Sequence, residues 1–118
     1  MNTQVQVLLQ AQKDIQQITN FKWRDKRGQF HKPENMETRH IFYTLRMIWN
    51  HSMPEEAKIR PYREYDFNPF YTKEYMQFAV LALAMELSDR YDLSFKSQNQ
   101  LQFMLDYLSA QHVKRIKL

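Results

Sequence analysis

Arg39, Tyr43, Arg46 and Asn50 follow one another at steps of three and four residues, the spacing that gathers side chains on one face of a helix. The two guanidiniums then stand two turns apart, about 10 Å along the axis. A guanidinium is permanently charged and offers a planar fork of donors. The pair therefore suits carboxylates or phosphates on a partner, or salt bridges within the chain. A second set lies just beyond, in Lys58–Lys73, where Tyr62, Tyr65, Phe67, Phe70 and Tyr71 alternate with Arg60, Arg63 and Lys73. Such a mixture serves a protein-binding hot spot, the stacking of single-stranded bases, or simply a long loop held down by its own aromatics. The third set is cationic: Lys22, Arg24, Lys26 and Arg27, with Lys114, Arg115 and Lys117 near the end. These suit nucleic-acid phosphates or an acidic partner, and equally a solvated turn and tail.

Other chemistries find fewer candidates. Glu37-Thr-Arg-His40 has the Glu-x-x-His spacing of di-iron carboxylate bundles, but those sites use two such motifs and the chain has one. His40 and His51 would lie three turns apart, roughly 16 Å, too far to share an ion. No metal site is expected, and no cofactor. With no cysteine there is no disulfide, zinc–thiolate centre or thiol nucleophile. The serines, at positions 52, 88, 94, 97 and 109, carry no local base-and-orienter signature. Glu55-Glu56 beside Pro54 reads as solvated loop. The single glycine, Gly28, leaves no phosphate-cradling or dinucleotide-binding loop. These residues point away from an enzyme.

The elements that must position the three sets are helical. Val5, Leu8, Ala11, Ile15 and Ile18 predict a helix over 3–19 with a narrow apolar stripe among glutamines. That stripe would serve self-association or packing on its own domain. Phe21 and Trp23 alternate with charges before Asp25–Gly28, which predicts a short basic β-hairpin at 20–32. A helix over about 36–52 ends at Pro54, with Ile41, Leu45 and Ile48 facing the core and Arg39, Tyr43, Arg46 and Asn50 facing solvent. A loop follows to Tyr71. Asn68-Pro69 or Thr72 would cap a nearly all-apolar helix at 70–90, and a last helix spans about 98–111. The whole predicts one mainly α domain over residues 1–118: about four helices in a compact bundle, with the hairpin between the first two.

Composition agrees with that class. The chain has 118 residues, 43% hydrophobic and 14% aromatic, and a mean hydropathy of -0.72. No apolar run approaches the ~18 residues of a membrane span, and Met1–Val5 lacks a signal-peptide layout. A cytoplasmic location without membrane attachment is the expectation. Charge is uneven. Residues 1–33 hold six Lys/Arg against two Asp/Glu, residues 34–93 seven against ten, and residues 94–118 four against one.

Trp23, Gly28, Met36, His40-Ile41 and Met47 stand in an order that resembles a segment of many small phage and prophage proteins. In those, a Trp-containing turn with glycine leads into Met-x-x-x-His-Ile/Leu at a helix start, with a methionine one to two turns on. The resemblance covers about a quarter of the chain. Asp25-Lys-Arg-Gly28 is longer and more basic than that pattern, and Trp49 follows the methionine. The resemblance implies a genomic setting rather than a mechanism, and places Trp23 over the helix start near His40. The expected role is that of a non-enzymatic phage or mobile-element accessory protein binding a host macromolecular complex, inhibiting a host defence or nucleic-acid-processing system. Direct binding of DNA or RNA through the third set together with the Arg39–Arg46 helix face is the alternative.

Overall fold

Apolar residues at helical spacing fold this chain into α1 (Thr3–Gln10), α2 (Ile15–Thr19), α3 (Thr38–Ser52), α4 (Lys73–Ser88) and α5 (Phe95–Lys117). Strands β1 (Trp23–Arg24) and β2 (Phe30–His31) lie between α2 and α3, and 3-10 turns occupy Pro33–Asn35 and Glu55–Ala57. The structure is a computed structural model that describes residues 2–117, with side chains through Lys114.

The region expected as one helix over 3–19 is two. Gln12 ends α1 by donating from its side chain to the Leu8 carbonyl (3.2 Å) and from its backbone to that of Leu9 (3.0 Å). No proline or glycine forces this break. It lets α1 press Val5, Leu8 and Leu9 towards α4 and α5 while α2 turns Ile18 into the core against α4. Burial of one isoleucine outweighs the modest propensity gain of a continuous helix. Val5, Leu8 and Ile18 of the stripe are thus consumed within the chain, while Ala11 and Ile15, with Val7 beside them, remain exposed.

The hairpin forms where expected. Trp23 pairs with His31 and Arg24 with Phe30, antiparallel. Asp25 organises the turn: its Oδ1 accepts the N–H of Arg27 and of Gln29, both at 2.9 Å, and its Oδ2 meets His31 Nε2 at 2.7 Å. Gly28 sits at φ 82°, where a side chain would be strained. The contacts of Trp23, which the phage pattern implied over the start of α3, are with the tyrosines that precede and open α4. Its ring lies 5.3 Å from Tyr71 and 6.1 Å from Tyr75, at the entry to α4. Those tyrosines also hold the hairpin backbone. Tyr71 donates to the Arg24 carbonyl, while Tyr75 donates to that of Lys22 and accepts from Arg24 N–H. It is His31 whose ring approaches His40, at 6.5 Å.

α4 packs against α1, α2, α3 and the Pro33–Asn35 turn, and buries residues on nearly every side. Thr72 caps it by accepting the N–H of Tyr75 (3.1 Å). Ile41, Leu45 and Ile48 are fully buried, so the core face of α3 is the one its spacing predicts. α5 begins three residues earlier than expected and runs on to Lys117. Ser94 explains the early start: its Oγ accepts the N–H of Ser97 and its carbonyl that of Gln98. With a radius of gyration of 13.7 Å, the described chain is a compact, mainly helical globule. None of its described helices is long and apolar enough to cross a membrane.

Candidate partner-binding site

After Pro54 the chain turns back and runs along α3, fastened to it by successive side chains. Trp49 Nε1 donates to the Ala57 carbonyl (2.7 Å). Asn50 binds both groups of one residue: Nδ2 donates to the Ile59 carbonyl (3.1 Å) and Oδ1 accepts Ile59 N–H (2.7 Å). Arg46, one turn earlier, donates to the Pro61 carbonyl (2.8 Å) and more weakly to that of Ile59 (3.4 Å). An irregular segment has no sheet ladder for its peptide groups, so helix side chains supply the partners instead.

Where this strap leaves the helix, an open groove of about 360 Å³ remains. Tyr43, Arg46, Met47 and Asn50 line it from α3, and Pro61, Tyr62, Arg63 and Tyr65 from the strap. Two sets of residues that lie apart in sequence are brought together here. They are not equally free. Asn50, expected on a solvent face, is only 6% exposed because Ile59 saturates its amide. Arg46 is half-buried, and part of its fork holds the strap. Tyr43 is 53% exposed, and Arg63 and Tyr65 are exposed as well. Arg39 is exposed one turn along and lies over the Tyr43 ring at 5.6 Å, outside the groove. Arg60 also stays outside, 3.0 Å from Glu55.

Glu55 is the electrostatic hub of the strap's outer side. Lys58 (3.3 Å), Arg60 and the Tyr62 hydroxyl (2.8 Å) converge on it. Those contacts, the Tyr62 hydrogen bond foremost, hold the carboxyl below its usual range, and the same pairing raises Lys58. The remaining strap aromatics turn elsewhere. Phe67 meets the His51 ring at 4.6 Å and Tyr71 at 5.6 Å, and Phe70 lies under the Arg24 guanidinium at 4.2 Å. The expected interleaved surface therefore divides: Arg63 and Tyr65 are exposed, Tyr62 is tied to Glu55, and Phe67–Tyr71 anchor the strap.

The cationic set is also distributed. Lys22, Lys26, Arg27 and Lys114 are exposed, while Arg24 is half-buried on Phe70. Arg115 and Lys117 lie outside the described side chains. Among the described residues no group of three or more His, Asp or Glu side chains is placed to hold a metal ion. What sequence reasoning missed is the fastening by Trp49 and Asn50. A tryptophan N–H and an amide on the flank of a predicted core helix were the available signals, since both need partners when buried. No protein-family model, curated protein or solved structure matches the chain.

Proposed function

We propose that this chain works by binding, and that its partner is a protein docking on the groove between α3 and the strap. In the setting that the phage resemblance implies, the partner belongs to a host complex, a defence or nucleic-acid-processing system, which docking inhibits. The observation that carries the reading is the groove itself: exposed Tyr43 and Tyr65 beside Arg46 and Arg63, on backbone held by the Asn50–Ile59 and Arg46–Pro61 bonds. Tyrosine and arginine are the side chains that dominate binding hot spots, and a pre-ordered surface loses less entropy on association. The test is a photo-crosslinking residue at Tyr43, expressed in host cells, with Tyr91 on the α4–α5 connection as the control position. One partner should crosslink at Tyr43 and not at Tyr91, and Tyr65→Ala should abolish the product. Identical products from both positions would sink the reading.

A second reading rests on the hairpin. Lys26 and Arg27 are exposed at its tip, and Phe30 beside them is 56% exposed, a pairing of charge with an aromatic face that suits nucleic acid. Lys22, Arg24, Lys114, Arg115 and Lys117 complete that set. Binding of this kind falls steeply with ionic strength. A chain that fails to retard single- or double-stranded nucleic acid even at low salt does not use it.

A further inference from the structure

The side chains that line the groove differ from their surroundings in charge. Arg46 and Arg63 are the charged members of the lining, and no carboxylate is among them. The neighbouring Lys58 and Arg60 are matched by Glu55, whereas Arg46 bonds only backbone carbonyls and no ion pair engages Arg46 or Arg63 among the described residues. Arg46 is moreover held in place by one terminal nitrogen, Nη2, and its Nε and Nη1 donors each remain for a single incoming oxygen. A guanidinium positioned in advance and lacking a counter-ion favours an incoming carboxylate.

We infer that the groove takes an acidic peptide segment of the partner, with an Asp or Glu carboxylate on Arg46 and Arg63 and its apolar neighbours against Tyr43, Met47 and Tyr65. This rests on the docking role proposed above and names the chemistry of the docked segment. A phosphate would also satisfy two arginines, so the surroundings decide between a peptide and a nucleic acid. Glu64 and Asp66 are exposed on the same strap, just beyond Arg63. A polyanion with a charge at every step meets those two carboxylates on leaving the groove, while a segment with one charge set among apolar side chains does not.

The experiment uses the full chain, nitrogen-15 labelled, titrated with a decapeptide that sets one glutamate between leucines in a glycine–serine frame. The glutamine–leucine counterpart and a ten-nucleotide thymidine oligonucleotide serve as competing probes. The expected result is a set of shifts confined to Tyr43, Met47, Tyr65 and the Arg46 and Arg63 side chains. Binding should weaken about tenfold with glutamine in that place or in Arg63→Glu. Arg63 holds no strap carbonyl, so that variant tests charge without disturbing the fold, and Arg63→Lys keeps the charge while removing the fork. Equal binding of the glutamine peptide, stronger binding of the oligonucleotide at the same residues, or no shift with the acidic peptide overturns the inference. A Tyr43 crosslink to a partner that survives Arg63→Glu leaves docking standing and overturns the acidic assignment. Loss of any specific Tyr43 crosslink removes both.

Discussion

Asn50 has a donor and an acceptor in its side-chain amide and uses both on Ile59. Its periodicity put it on the polar face of α3 with Arg39, Tyr43 and Arg46, and that placement is correct as an angle round the helix. What periodicity does not carry is whether another part of the chain covers that angle. The strap does, and Asn50 becomes buried while Tyr43, two turns away, stays open. Asn50→Ala leaves the buried Ile59 N–H without its partner and the Ile59 carbonyl with only the long Arg46 contact. It should lower stability by about 2–4 kcal/mol in urea unfolding and broaden the signals of Arg60–Tyr65. A loss below about 0.5 kcal/mol would mean that the strap is held by other contacts.

At the scale of elements, the hairpin, the core face of α3 and the apolar α4 follow from local pattern, because turn chemistry and helical spacing act within a few residues. The break in the 3–19 helix and the early start of α5 did not follow so easily. The first depends on where Ile18 finds the core; the second was legible in Ser94 as a cap but competed with the polar run around it. The hairpin turn also carries a pH dependence. Asp25 is held below its ordinary pKa of 3.8, first by the His31 hydrogen bond and then by the turn amides. A depressed folded pKa means that the carboxylate's contribution is complete above the ordinary value and is lost as pH falls through the lower one. The Arg27 and Gln29 amides should therefore still be held by the carboxylate at pH 4 and lose that contribution only below 3.8. In Asp25→Ala they should already lack their protected positions at pH 7.

Across the whole molecule, Arg90 joins regions far apart in sequence. Its guanidinium donates to the carbonyls of Pro33 (3.2 Å) and Met36 (2.9 Å) and to Thr38 Oγ1 (2.9 Å), and it pairs with Glu86 at 2.9 Å. Thr38 in turn donates to Asp92 (2.7 Å). The end of α4 is thereby tied to the chain entering α3, and so to the helix that carries the groove. Arg90→Met frees Glu86 and those carbonyls together. A loss of about 2–4 kcal/mol is expected by thermal or urea unfolding, with the shifts of the distant strap unchanged below the transition. Early disorder of the strap in that variant would show that the two ends of α3 are coupled.

Residue order alone determined the helical class, the basic hairpin, the buried side of α3 and the pool of arginines and tyrosines from which a surface can be drawn. Each of these depends on interactions between near neighbours or on simple apolar periodicity. Only the tertiary structure decided which members of that pool face a common space. Tyr43 and Arg46 meet Tyr62, Arg63 and Tyr65 because the strap folds back along α3. That path is set by long-range bonds from Trp49, Asn50 and Arg46, each made to residues eight to fifteen positions away. A polar side chain looks the same in sequence whether it meets solvent, a backbone or a partner, and the course of the chain chooses among them.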